Sequence, residues 1–357
     1  MTMQPGNWWE KTNDGRFRCE LCPRTCLLKP GQRGFCFVRM AKEENGKEGI
    51  FLTTYGRSSG FCIDPIEKKP LNHFYPGTPI LSFGTAGCNL GCKFCQNWDI
   101  SKAKNADRLT ATASPDQIAH AAQKAGCLSV AFTYNDPVIF AEYAIDTAQA
   151  CHTLGIHPVA VTAGYISEKA RIDFFSVMDA ANVDLKFFSE EFYWKFSMAH
   201  LQPVLDTLVY LVHETKVWVE ITTLLIPGLN DSHSEIEALT TWIAGNLGVD
   251  VPLHFTAFHP DFKITDRPAT PLSTLTLARE IALKNGLHYV YTGNVYDPIG
   301  SSTYCPNCKN ILIERNRYTL GKYHIRNNCC ADCGTKIAGH FNDTRTDLGE
   351  SSCQRRG

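Results

Sequence analysis

The chain has almost no net charge: 35 Lys and Arg stand against 36 Asp and Glu, a formal balance of −1 over 357 residues. That removes any global electrostatic reason for tight binding to nucleic acid or to an anionic membrane surface. Long apolar runs are missing too, and residues 1–10 lack a basic stretch leading into an apolar one. Neither a membrane span nor an export signal is therefore expected, and the expected location is the cytoplasm. With 44% hydrophobic and 20% charged residues, a sizeable core is within reach and wholesale disorder is not expected.

What the chain has in quantity is cysteine. There are sixteen, and in a protein without an export signal their spacing reads first as metal ligation rather than as disulfides. Twelve fall into three clusters: Cys19, Cys22, Cys26 and Cys36; then Cys88, Cys92 and Cys95; then Cys305, Cys308, Cys329, Cys330 and Cys333. Cys62, Cys127, Cys151 and Cys353 need no explanation beyond packing or exposure.

Residues 1–78 are rich in turn formers and read as a small Cys-rich, metal-stapled N-terminal module. From Pro79 the pattern becomes one of short β-branched runs alternating with stretches of helical period. Strands are predicted at Ile80–Gly84, Ser129–Thr133, His157–Thr162, Asn182–Lys186, Lys216–Leu225, Leu253–Ala257 and His288–Tyr291. Helices are predicted at Val138–Leu154, Glu168–Ala180, Pro203–His213, Ser234–Asn246 and Ser273–Asn285. A further helix begins at Ser114-Pro115-Asp116-Gln117, where Ser caps, Pro opens the first turn and Gln completes a capping box. Six or more consecutive βα repeats, with no Gly-rich dinucleotide fingerprint after the first strand, favour an α/β fold with a full or partial TIM-type (β/α) barrel over residues 79–300. Residues 301–341 read as a zinc-ribbon-like module and 342–357 as a polar tail.

The central cluster, Cys88-x3-Cys92-x2-Cys95, directly follows the first barrel strand. Three thiolates in a Gly-containing loop can wrap an iron–sulfur cubane. A structural zinc would be closed by four ligands, so three without a nearby fourth point to a cluster with one iron left open. Cys88-x3-Cys92-x-Phe94-Cys95 resembles the signature of radical S-adenosylmethionine (SAM) enzymes. The resemblance extends to the subgroup containing pyruvate formate-lyase activating enzymes, in particular the AmmeMemoRadiSam-system radical SAM proteins. The matching stretches are Cys19-x2-Cys22-Pro23-Arg24-x-Cys26, Asp64-Pro65-Ile66-Glu67-Lys68-Lys69-Pro70, Thr133-Tyr134-Asn135-Asp136-Pro137, Val183-Asp184-Leu185-Lys186, Leu225-Ile226-Pro227-Gly228-Leu229-Asn230 and His254-Phe255-x3-His259-Pro260. Ala163 is a departure, since the resembled proteins tend to carry Asn there.

The resemblance implies a [4Fe-4S] cluster on Cys88, Cys92 and Cys95. Its open iron would be chelated by SAM, whose cleavage yields a 5'-deoxyadenosyl radical that abstracts hydrogen from a protein or small-molecule substrate. Glycyl-radical installation is one form this could take. It also implies a low-potential electron donor of flavodoxin or ferredoxin type, Memo-like and AMMECR-type proteins as partners, and packing of Phe94 against the adenine. Asn135, Asp136, Thr162, Asp184, Lys186 and His254, with His259, are expected at the carboxyl ends of predicted strands, where barrel active sites are built. Asp184 and Lys186 share one face of their predicted strand, with Leu185 on the other.

Cys305-x2-Cys308 and Cys330-x2-Cys333 form two knuckles separated by 21 residues, a zinc-ribbon spacing. Cys330 is preferred to Cys329 because it restores the two-residue gap. The N-terminal four suit either a closed zinc site or a second iron–sulfur cluster. Two other functions fit parts of the pattern. A non-catalytic iron–sulfur electron carrier would need neither an open iron nor a polar barrel rim. A nucleic-acid modifying enzyme would dock through the zinc ribbon, but residues 301–357 hold only nine Lys and Arg against five Asp and Glu, so no nucleic-acid partner is expected.

Overall fold

A computed structural model describes residues 3–44, 46–103, 109 and 111–342. Seven parallel strands form its centre: β2 (Pro79–Phe83), β3 (Ser129–Phe132), β4 (His157–Thr162), β5 (Ala180–Asp184), β6 (Trp218–Leu225), β7 (Leu253–Ala257) and β8 (Val290–Gly293). They lie in chain order, and β1 (Phe61–Pro65) adds an antiparallel edge beside β2. The strands read as continuous apolar runs because helices cover the sheet's outer face while its concave side encloses an interior. Among the described residues β8 does not pair with β1, so the barrel is partial.

The covering helices are α1 (Pro115–Lys124), α2 (Ala141–Thr153), α3 (Glu168–Phe175), α4 (Gln202–Glu214), α5 (His233–Asn246) and α6 (Leu272–Lys284). The Ser114 capping box is formed as the sequence predicts, with Pro115 opening α1. Several boundaries differ from expectation, most visibly between α3 and β5. The helix predicted over Glu168–Ala180 stops at Phe175, and β5 starts at Ala180 rather than Asn182. The parallel ladder is already engaged at residue 179, where Asp179 N donates to Pro158 O and Asp179 O accepts from Trp218 N. The chain must therefore leave the helix early. Val138 also opens on a 3₁₀ turn, Pro137–Phe140, before the α-helix begins.

Three small antiparallel strands, Trp9–Lys11, Phe17–Cys19 and Leu27–Leu28, carry Cys19, with Cys22 and Cys26 in the connection between the last two and Cys36 beyond them. A second ribbon, Arg39–Glu44 against Lys47–Leu52, packs behind them. Their apolar residues belong to the same buried cluster as the barrel helices. The join is reinforced by a buried bidentate pair, Arg39 to Glu142 of α2 at 2.8 and 2.9 Å. The C-terminal strands Ile311–Asn316 and Thr319–Tyr323 form a hairpin whose small core includes Leu312, Ile313 and Leu320 with Tyr289 and Tyr291 of the β8 region. The same module pairs with the chain after β1: Phe74 bridges His340, and Tyr75 N donates to His340 O at 2.7 Å. It thus packs on residues flanking both open edges of the sheet. The polar tail beyond Asn342, with Cys353, lies outside the described residues. Among the described residues no helix is long and apolar enough to cross a membrane.

Candidate functional site

The loop after β2 carries Cys88, Cys92 and Cys95 onto the wall of one cavity of about 410 Å³ inside the barrel. Its course depends on two glycines. Gly87 has φ +82° and lies so close to the Cys36 carbonyl that an added Cβ would sit 2.0 Å from that oxygen. Gly91 packs against Met198, where a Cβ would meet Sδ at 2.5 Å. Backbone bonds hold the rest: Gly91 N to Ser197 O and Lys93 N to Phe196 O, both 2.8 Å, and Gly87 N to Ile100 O at 2.9 Å. Asn135 is the clasp from β3. Its Oδ1 accepts from Thr85 N at 2.9 Å, and its Nδ2 donates to Gly87 O at 2.9 Å.

Burial pushes the Cys88 thiol up to about 12, helped by the Asp136 carboxylate, and burial likewise raises Cys92. Burial thus favours the protonated form of Cys88 and Cys92, and a bound cation would stabilise the ionised form. The three sulfurs do not all lie within 4.8 Å of one another. Among the described residues, only Cys305, Cys308, Cys330 and Cys333 form a group of three or more candidate ligands whose ligand atoms all lie within 4.8 Å of one another. That spacing suits a single ion, whereas three sulfurs spread around a cavity wall suit a multinuclear cluster that places each on a different iron. The residues present fit such a group, with cavity space beyond it.

The opposite wall is polar. Asp136 accepts from Thr162 Oγ1 at 3.0 Å and from Ala163 N at 2.9 Å, and it caps the 3₁₀ turn through Val138 N. Position 163 therefore contributes its backbone, and the Ala there leaves the network whole. Asp184 and Lys186 both line the cavity while Leu185 is buried away from it, as the alternation requires. They are bonded to each other, Nζ to Oδ2 at 2.8 Å. Lys186 lies two residues beyond the end of β5 rather than within it. Burial opposes its charge, but the Asp184 carboxylate and the Cys92 sulfur outweigh that and hold its pKa above the usual range. Phe94 stands edge-on to Phe187 at 5.6 Å, with the Lys186 ammonium 6.0 Å above its ring.

His254 is not brought to this cavity. It is the second residue of β7, near the strand's amino end, 3% exposed, with Nε2 2.6 Å from Glu220 Oε2 and its ring stacked on Tyr291. Thr256, one pleat further along the same face, is what reaches the cavity from β7. Glu220 also accepts from the amides of Asn72 and His73, so this is a structural polar core where the chain after β1 and the β8 region meet. His259 is exposed. His254→Phe is expected to cost about 3 kcal/mol of stability near neutral pH, since it leaves the buried Glu220 carboxylate without its imidazole hydrogen-bond partner. SAM affinity should not change. Glu220 is depressed despite its burial, chiefly through His254. A depressed carboxylate contributes stability above its unfolded pKa and loses it on protonation, so the deficit should shrink below about pH 4. Denaturant unfolding at two pH values checks both.

Sequence reasoning missed Tyr318, which reaches the cavity from the C-terminal hairpin, and Thr222 and Asn294. No local pattern marks Tyr318, because only the long-range docking of the hairpin places it. In the C-terminal set, Cys305 and Cys333 sulfurs are 3.6 Å apart and Cys308 and Cys330 sulfurs 3.7 Å. Cys330, not Cys329, completes the group.

A partial (β/α) barrel with a three-thiol loop opening on an internal polar cavity defines an α/β protein with the donors to hold a cluster. The Radical SAM superfamily description matches residues 83–240. A relative described as Uncharacterized protein MJ0808, from Methanocaldococcus jannaschii, is 40% identical over 337 residues, 94% of this chain and 99% of that one. Among solved structures, a radical SAM methyltransferase from Sphaerobacter thermophilus is similar over 81% of this chain and 76% of its own, at 14% identity and a TM-score of 0.49. A domain of a pyruvate-formate lyase-activating enzyme from Bacteroides vulgatus covers 46% of this chain and 98% of its own, at 18% identity and a TM-score of 0.40. The chain belongs to the radical SAM superfamily. It is accordingly a radical SAM enzyme that generates a 5'-deoxyadenosyl radical, for which the family implies a [4Fe-4S] cluster, SAM and a reductant.

Proposed function

We propose that Cys88, Cys92 and Cys95 hold the [4Fe-4S] cluster and that SAM occupies the cavity they share with Phe94, Asn135, Asp136, Thr162, Asp184 and Lys186. The observation that carries this reading is the convergence of three thiols from one loop and a paired Asp184 and Lys186 on a single cavity. When bound, the cluster supplies the electron that breaks the SAM sulfonium bond. The chain's own groups bind and orient. Asn135 fixes the thiol loop, and Asp136 and Thr162 lock the facing wall. Lys186 offers an ammonium to the methionine carboxylate, and Asp184 holds that ammonium in place and accepts from a hydroxyl or amino donor. Phe94 presents an apolar surface to the adenine.

The product radical abstracts hydrogen from a protein or small-molecule substrate. Glycyl-radical installation is one such activity, and Memo-like or AMMECR-type proteins are candidate partners by resemblance. A flavodoxin- or ferredoxin-type carrier would supply the electron. In the C-terminal module (residues 301–341), Cys305, Cys308, Cys330 and Cys333 would hold a structural zinc. The barrel itself would occupy residues 79–300, after the N-terminal module of residues 1–78.

Asp184→Asn is expected to weaken SAM binding about tenfold to a hundredfold, the loss of a charge-assisted contact worth about 1.5–3 kcal/mol. Iron content and cluster absorbance should be unchanged. Equilibrium binding of SAM to the anaerobically reconstituted variant reads this. Unaltered affinity in both Asp184→Asn and Lys186→Met would remove the pair from the site.

A further inference from the structure

The N-terminal cysteines converge on a second site. The Cys22–Thr25 and Gly34–Phe37 turns close on hydrogen bonds of 3.1 and 2.9 Å, and Thr25 and Phe37 adopt left-handed backbones beside Cys26 and Cys36. Gly34 lies against the sulfurs of both Cys26 and Cys36, where a Cβ would stand 3.7 and 3.8 Å from them. The buried Arg39 guanidinium offsets charge at Cys19 and Cys36.

Two observations say what this site holds and what it is for. The first is spacing. Four thiolates on one zinc, each at about 2.3 Å, lie about 3.8 Å apart, which is what the C-terminal set shows. No three of the N-terminal sulfurs close to within 4.8 Å of one another, and in this they match the Cys88, Cys92 and Cys95 set. The second is position. The Cys36 carbonyl packs directly on Gly87, the residue before Cys88. Arg24, between Cys22 and Cys26, donates to the Asn89 carbonyl next to Cys88 and to Met198 O. Cys26 is partly exposed, while Cys19, Cys22 and Cys36 are buried.

We infer that Cys19, Cys22, Cys26 and Cys36 hold a second, fully thiolate-ligated [4Fe-4S] cluster that relays electrons one at a time to the cluster site at Cys88, Cys92 and Cys95. This rests on the reading of the central loop as a cluster site. The balance is simple. A low-potential one-electron carrier protein is oxidised at the partly exposed Cys26, and the N-terminal site is reduced and then reoxidised as the electron passes to the central site. That electron enters the C5'–S bond of SAM, which breaks to give methionine and the 5'-deoxyadenosyl radical. No proton or group is transferred at the N-terminal site.

The test uses the full chain, reconstituted anaerobically with iron and sulfide. The parent should carry about eight irons, in two four-iron clusters, and one zinc. Cys88→Ala/Cys92→Ala/Cys95→Ala should retain about four irons and, once reduced, a paramagnetic resonance signal that SAM does not alter. Cys22→Ser should lose that signal and keep the SAM-sensitive one. It should also lose 5'-deoxyadenosine formation with reduced flavodoxin as donor but keep it with titanium(III) citrate. Two zincs in the parent with no iron in the triple variant would overturn the cluster. Undiminished turnover of Cys22→Ser with flavodoxin, its N-terminal iron gone, would overturn the relay. If the triple variant does not fold, the iron and zinc count of the parent still decides. Failure of the central reading has a separate signature: no SAM-sensitive signal in the parent while the SAM-insensitive one persists.

Discussion

Cys92→Ala is expected to abolish SAM cleavage, leaving no 5'-deoxyadenosine above a no-enzyme control, and to remove the SAM-sensitive part of the cluster absorbance. Cys92 is the middle thiol of the loop and the most deeply buried of the three, with Lys186 and Cys95 as neighbours. Two remaining thiolates cannot hold the same site-differentiated cubane, so the loss should be complete rather than graded. The surrounding fold should survive. The loop is fixed by Gly91 and Lys93 amides and by Asn135, none of which needs the Cys92 sulfur. Circular dichroism of the variant should therefore match the parent while its product yield falls to background. Retained turnover would place the cluster elsewhere.

The second large effect is expected in the C-terminal module. Its buried core is a handful of residues, Leu312, Ile313, Leu320, Ile325 and Ile337 with two of the thiols, too little to hold a segment of this size on its own. Structural zinc in a four-thiolate site contributes about 10–16 kcal/mol in small zinc-binding peptides near neutral pH, so the metal should dominate the module's stability. Cys330→Ser, or a strong chelator, is expected to expose residues 301–341 to limited proteolysis and amide exchange before the barrel helices respond. Cys329→Ser should leave both unchanged, because that thiol lies outside the converged group. Early opening of the barrel in step with the module would show that the metal does not act locally.

The parts legible in the sequence were those encoded over short distances. Cysteine spacing fixes which thiols share a loop, and strand alternation correctly put Asp184 and Lys186 on one side and Leu185 on the other. Ser114 and Gln117 announced their helix because a capping box is complete within four residues. The start of β5 was illegible because Ala180 and Ala181 carry neither a β-branched nor an alternating signal, and the ladder partners that claim them, Val159 and Ala160, lie some twenty residues upstream. His254 was assigned to the rim for the same kind of reason. Its distance along β7 decides between the cavity and the polar core, and its partner Glu220 sits on a different strand. Tyr318 depends on how a hairpin docks across the open edge of the sheet, which no local pattern encodes.

The account stands most directly on one reaction. Reduced, reconstituted enzyme incubated anaerobically with SAM should yield 5'-deoxyadenosine and methionine in equal amounts, measured by liquid chromatography and mass spectrometry. Absence of 5'-deoxyadenosine from protein carrying its full iron complement, or an equal yield from Cys92→Ala, would contradict it.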